Sequence, residues 1–239
     1  MYPETSLLTV NYNTPELLRE LLNSVEKFCP GINVYVVDGS DNKKLIKQTK
    51  LITKDRKNTV LFSLGKNIHH GPGLDFGIRK IDTRYILLMD TDSLLIKAGL
   101  IERMHDYLDG GYGIGKIEYV DRNGWNVPRE NGIPYLHPRC ALIDKDAYLK
   151  YKPALKHGAP LINAMTDIFD KGDQVKLKDF PNLDDYYVHL GRGTVNITGG
   201  YHFEYEKESF KQGLKSFLKR IISRLKRIKK VISQSDVQR

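Results

Sequence analysis

The chain has 239 residues, 40% hydrophobic and 28% charged, with a formal net charge of +9. That composition supports an ordinary globular core and excludes collagen-like, low-complexity and mostly disordered chains. No apolar run approaches the ~20 residues that cross a bilayer, and Met1-Tyr2-Pro3-Glu4-Thr5 lacks the basic-then-apolar pattern of a signal peptide.

Ser6-Leu7-Leu8-Thr9-Val10 is a short apolar run ending in Asn11-Tyr12-Asn13, and it reads as a buried strand. Thr14-Pro15-Glu16 then starts a helix, with an N-cap residue, a proline at the first position and an acid in the first turn. Leu17, Leu18, Leu21, Leu22, Val25 and Phe28 recur at helical spacing until Pro30-Gly31 stops the run. Cys29 shares no metal-ligand spacing with Cys140, the other cysteine, so free thiols are expected. Strands follow at 32–37, ending at Asp38, at 59–62, and at 85–89, ending at Asp90. Strands alternating with helices predict an α/β fold built on a doubly wound, mostly parallel sheet. Ligands bind such sheets at the carboxyl ends of the strands. Asn11, Asp38 and Asp90 should therefore converge on one crevice.

The second half is less regular. Residues 112–120 are of β type, Asp121-Arg122-Asn123-Gly124 is a turn signal, and 141–143 form a short apolar strand. A brief helix is expected over 144–151 and a longer one over 159–171. Nothing separates domains before residue 205, so 1–205 reads as one domain and 206–239 as a tail.

The charge sits in that tail. From Lys211 to Arg239 ten basic residues face one acid, Asp236, so this segment accounts for the entire excess. The neutral body argues against a nucleic-acid-binding face. Apolar residues of 211–233 fall at steps of three and four among lysines and arginines, which predicts a basic amphipathic helix ~35 Å long. Such a helix lies on an anionic membrane surface; oligomerisation through the apolar stripe is the alternative.

Asp90-Thr91-Asp92 directly follows a buried strand. Two acids this close are costly to desolvate unless paired, and a divalent cation would pair them. Alone, the pattern also describes many solvated loops. Here Val10-Asn11-Tyr12-Asn13, Val36-Val37-Asp38-Gly39-Ser40, Gly71-Pro72-Gly73-Leu74-Asp75-Phe76-Gly77-Ile78 and Leu87-Leu88-Met89-Asp90-Thr91-Asp92 follow one another in a set order and spacing. Over about residues 5–100 that order resembles glycosyltransferase family 2, whose fold is GT-A. The resemblance implies an inverting, metal-dependent transferase using a nucleotide-sugar, a UDP-sugar in this reading. Val10, Asn11 and Tyr12 would line the nucleotide pocket and Asp38 would sit against the base. Asp90 would hold the ribose, with Thr91 between the acids, and Asp92 would bind Mn²⁺ or Mg²⁺. Gly71, Gly73 and Asp75 would lie under the diphosphate, although the family commonly has Asn or Arg where Asp75 stands.

The family's acidic motif for the catalytic base is absent in its usual form. Asp167 stands in the corresponding segment as the candidate base, with Asp170 and Asp173 as alternatives. His189, delivered by a β-type run, and Arg192, between two glycines, are candidates for the metal and the phosphates. Trp125 and Tyr135 are candidate sugar platforms. With the tail, these readings give a peripheral enzyme on the cytoplasmic membrane face acting on a glycan or lipid-linked acceptor in surface polysaccharide assembly. The alternatives are a membrane-docked, non-catalytic scaffold and a sugar-1-phosphate nucleotidyltransferase. The latter is disfavoured by Asn11-Tyr12-Asn13-Thr14-Pro15 where a Gly-rich loop should stand.

Overall fold

The computed structural model describes residues 2, 4–156, 158–191, 193 and 197. The first apolar run becomes Thr5–Asn11 (β1) and leads into Pro15–Phe28 (α1). Pro15 and Glu16 occupy the first turn, and Leu17, Leu18, Leu21, Leu22 and Val25 are buried. Thr14 does not cap this helix with its side chain; its hydroxyl donates instead to Asn11 Oδ1 at 2.9 Å. Then come Asn33–Asp38 (β2), Lys43–Lys54 (α2), Thr59–Ser63 (β3), His70–Lys80 (α3), Tyr85–Met89 (β4), Ser93–Leu95 (β5) and Leu100–Leu108 (α4). The second half contributes Gly113–Val120 (β6), Ile133–Asp144 (β7), Lys145–Tyr148 (α5), Ile162–Asp170 (α6), Leu177–Asp179 (β8) and Tyr187–His189 (β9).

Seven strands form one sheet in the order β3-β2-β1-β4-β7-β6-β8. The pairs β1–β2, β2–β3, β1–β4 and β6–β8 are parallel, while β4–β7 and β6–β7 are antiparallel. The strand order reverses at β1, which puts the binding crevice at the carboxyl ends of β1, β2 and β4. Alternation along each strand separates two apolar layers. Leu7 and Leu87 face Leu18, Leu22 and Met104 on one side. Leu8 and Leu88 face Leu74, Ile78 and Met165 on the other.

Helix α3 lies close against β1. A Cβ on Gly77 would meet Leu8 Cδ1 at 2.4 Å, and one on Gly73 would meet Val10 Cγ1 at 2.8 Å. Gly77→Ala should therefore overpack the interface and cost about 1–3 kcal/mol, read as a lowered urea midpoint at unchanged slope. An unchanged midpoint would mean that Leu8 yields without strain.

The expected short strand at 141–143 proves to be the end of the twelve-residue β7. Polar residues interrupt its apolar pattern at His137 and Arg139, and its pairing with β6 shifts register between Gly115 and Ile117. The helices expected over 144–151 and 159–171 are shorter, at Lys145–Tyr148 and Ile162–Asp170. Both cysteines are free and buried. Among the described residues no helix is long and apolar enough to cross a membrane. Arg192 and the basic tail lie outside the described residues, as does the boundary expected at 205.

Candidate active site

At the carboxyl edge of the sheet a cavity of about 690 Å³ opens between the ends of β1, β2 and β4 and the turn joining β6 to β7. Val10, Asn11, Tyr12 and Gly39 line one end, and Asp90, Thr91 and Asp92 line the middle. The acidic turn is pinned onto β7: the Asp90 amide and the Ser93 hydroxyl both donate to the Arg139 carbonyl, at 3.3 and 2.9 Å.

Strand β9 brings a late residue to this turn. It pairs antiparallel with β5 and sets His189 opposite Ser93. His189 Nε2 then lies 3.2 Å from Asp92 Oδ1 and 4.0 Å from Asp90 Oδ2. The Gly193 amide donates to Asp92 Oδ2 at 2.8 Å. Only a glycine fits there, because a Cβ would stand 2.6 Å from Asp92 Cβ and 2.7 Å from Leu17 Cδ1.

Burial would raise the Asp92 carboxyl, but the hydrogen bond and charge of His189 and the Gly193 amide hold it below the ordinary value. Asp90 is raised by burial and by the neighbouring Asp92 charge, against the lowering influence of His70 and His189. Burial lowers His189, and the two carboxylates more than offset that, so its basicity rises. One acid of the pair is thus driven toward its protonated form, which is the situation a divalent cation relieves by standing in for the proton. The cation implied by the family resemblance fits these residues. Asp90, Asp92 and His189 each offer a donor atom, all within 4.8 Å of one another, and two carboxylates with an imidazole suit a divalent metal.

Asp38 stands beside the cavity, behind its wall. It is fully buried, paired in register with Asn11. Its Oδ1 accepts from Asn11 Nδ2 at 2.8 Å and from the Ser40 hydroxyl at 2.6 Å. Among the described residues its Oδ2 has no hydrogen-bond partner. The adjoining Gly39 lines the cavity.

Several expected residues lie elsewhere. Gly71 and Gly73 are buried in packing: a Cβ on Gly71 would meet the Lys156 carbonyl at 2.5 Å, and Gly73 abuts Val10. Asp75 does not line the cavity. It pairs with Arg79 at 2.9 Å and accepts from the Tyr148 hydroxyl at 2.8 Å. The three candidate bases are held outside the cavity, Asp167 by Lys152, Asp170 by Arg122 and Asp173 by Lys176. Tyr135 is 2% exposed and has no free face to offer a sugar.

The cavity also contains His69 and His70, which general burial habits place at the surface or behind the ligands, and His137, whose His137-Pro138-Arg139 segment reads from the sequence as shaping the acceptor pocket. His70 Nε2 lies 3.3 Å from Asp90 Oδ1, on the side away from His189. His69 carries φ 67° and ψ 167° at the start of α3, a strained backbone of the kind that clusters at functional sites. His137 is half-buried, and desolvation together with the Arg139 charge pushes its pKa down to about 3. Its Nδ1 accepts from the Arg139 amide, so the neutral ring carries its proton on Nε2. The available signal was the pair His69-His70 immediately before the glycines of α3.

Residues 6–161 match the sequence profile of Glycosyl transferase family 2. No curated protein matches the chain. Among solved structures it resembles mannosyltransferase PcManGT from Pyrobaculum calidifontis, in complex with GDP-Man and Mn²⁺, at 12% identity and a TM-score of 0.57. That alignment covers 76% of this chain and 55% of that one, so the chain spans little more than half the length of that enzyme. It also resembles residues 1–349 of S. aureus TarS in complex with UDP-GlcNAc, at 19% identity and a TM-score of 0.54, covering 92% of this chain and 73% of that one. At such identities the likeness concerns the fold, which is the mostly parallel GT-A arrangement.

Proposed function

The chain belongs to Glycosyl transferase family 2, and from that premise we propose that it moves a sugar, with inversion, from a nucleotide-sugar to a glycan or lipid-linked acceptor. One observation carries this reading: Asp90, Asp92 and His189 gather their donor atoms within 4.8 Å at the switch point of the sheet. Nucleotide-sugars named with the similar structures, GDP-Man and UDP-GlcNAc, support the donor class. Our reading takes a UDP-sugar.

Asp92 and His189 would hold Mn²⁺ or Mg²⁺, with Asp90 between His189 and His70. When bound, the cation would stabilise the negative charge of the departing diphosphate. Val10, Asn11 and Tyr12 line the nucleoside end. There Tyr12 is steadied by its hydroxyl, which donates to Asp41 at 3.0 Å. The unpartnered Asp38 Oδ2 is a buried acceptor, and such an atom is costly to leave unmatched. From behind the wall Asp38 would act on a bound base through Asn11, whose amide it holds at 2.8 Å. The walls align donor and acceptor, so that reaction proceeds between held partners.

Calorimetry with UDP and GDP, with and without Mn²⁺, tests the site, and hydrolysis of a nucleotide-sugar panel tests the activity. Nucleotide affinity should rise at least about tenfold with Mn²⁺, a gain of about 1.4 kcal/mol, and one donor should turn over. Metal-dependent nucleotide binding without turnover of any donor–acceptor pair would favour the scaffold. The composition of 211–233 supports a further part of the proposal, attachment to an anionic membrane surface at the cytoplasmic face. Sedimentation with phosphatidylglycerol vesicles, but not with phosphatidylcholine vesicles, is the expected result.

A further inference from the structure

We propose that Trp125 is the acceptor platform, a ring on which the apolar face of a pyranose stacks while its hydroxyl is presented to the donor. This rests on the transferase reading above and extends it to the other half of the cavity.

Trp125 is the chain's single tryptophan and is 74% exposed. Exposure alone says little, since isolated surface apolar residues are normal, and Val175 is equally exposed. Among the described residues that are large, hydrophobic and exposed, however, Trp125 is the one that lines the cavity.

Topology separates its end of the cavity from the nucleoside end. Strand β6 is two antiparallel steps from β4 and therefore runs the same way. The turn after Val120 emerges at the same sheet edge as Asp90. Along that edge the order is β2, β1, β4, β7, β6. Strands lie ~4.8 Å apart, so the β2 and β6 ends are separated by about 19 Å. Gly39 and Asn11 mark one end, Asp90 and Asp92 the middle, and Trp125 with Pro138 and Pro160 the other. An acceptor entering opposite the nucleoside meets the indole.

The turn holding the ring is rigid although the ring itself is bare. Asp121 Oδ1 accepts from the Asn123 and Trp125 amides at 2.8 and 2.9 Å. The Asp121 amide donates back to the Trp125 carbonyl at 2.8 Å. Val120 and Asn126 bridge the base of the turn. Gly124, at φ 94°, lies so close to Ala159 that a Cβ would stand 2.3 Å from the alanine methyl. Arg122 reaches Asp170 on α6 with two hydrogen bonds, of 3.0 and 2.6 Å. With the backbone held, only the two side-chain torsions of the indole remain to be ordered on binding, a small entropy cost that suits it to a flat apolar sugar face.

A single tryptophan makes its emission a direct readout. The full chain is titrated with UDP and Mn²⁺, and then with cellobiose, maltose, chitobiose and N-acetylglucosamine. At least one sugar should quench or blue-shift the emission saturably, and the nucleotide alone should not. For the responding sugar as acceptor, Trp125→Ala should raise KM about tenfold with little change in kcat, and Trp125→Phe should restore KM to within about threefold. Emission that responds to UDP would assign the ring to the base and overturn the proposal. Nucleotide binding with emission inert to every sugar, or an unchanged KM in Trp125→Ala, would overturn the platform and leave the transferase reading standing. Wild-type protein that binds no nucleotide with metal would overturn both.

Discussion

Asp92→Ala should abolish metal-enhanced nucleotide binding and lower sugar transfer by about a hundred- to a thousandfold, the scale seen when one stabilising group is removed from an active site. Asp92 uses both oxygens, one toward His189 at 3.2 Å and one under the Gly193 amide at 2.8 Å. No other carboxylate among the described residues has this arrangement. The loss should not reflect unfolding, because Asp92 sits at the end of the sheet, 7% exposed, outside both apolar layers. Asp92→Asn separates charge from shape. It keeps the size and an acceptor for Gly193, so a loss close to that of Asp92→Ala would assign the effect to the negative charge. Circular dichroism checks the fold of both variants. Near-native transfer by Asp92→Ala with added Mn²⁺ would overturn the metal assignment.

Asn11→Ala should destabilise the protein by about 3 kcal/mol. Asn11 is fully buried and joins three elements. Its amide donates to Asp38 on β2 and its carbonyl accepts from Thr14 at the entrance to α1. Truncation removes a charge-assisted bond from a carboxylate that has no exposure and already has one unpartnered oxygen. Urea denaturation should show a lower midpoint at unchanged slope. Asn11→Asp should be worse, since it sets a second carboxylate within hydrogen-bonding distance of the first. A cost below about 1 kcal/mol for Asn11→Ala would mean that Ser40 alone satisfies Asp38.

The parallel half of the sheet was legible because its strands are buried on both faces and therefore read as unbroken apolar runs. The expected 85–89 strand is β4 to the residue, and Pro15 fixed the start of α1. Helix α2 carried no such signal: its only buried residues are Thr49 and Thr53. Strand β7 was underestimated because His137 and Arg139 interrupt it where it borders the cavity. The meeting of Asn11 and Asp90 at one crevice could be read from strand ends. Asp38 shared that register but proved to lie behind the wall. The resemblance sets Gly71 and Gly73 under the diphosphate, with backbone geometry as the other use; in the structure Gly71 packs on residues 155–156 and Gly73 on Val10 of β1. Spacing alone cannot distinguish the two uses. His70 reads from the sequence as a surface or supporting residue because burial habits alone weigh against a lone histidine; folding brings it to 3.3 Å from Asp90.

The β5–β9 pairing has a consequence for the order of events at the ribosome. Asp92 and Gly193 are 101 residues apart in the chain. At 5–20 residues per second, about 5 to 20 s of synthesis separate them. A nascent polypeptide released within that interval would carry the acidic turn but lack the stretch that supplies its imidazole and its amide. The proposed cation site would therefore be complete only once the β9 segment has been synthesised.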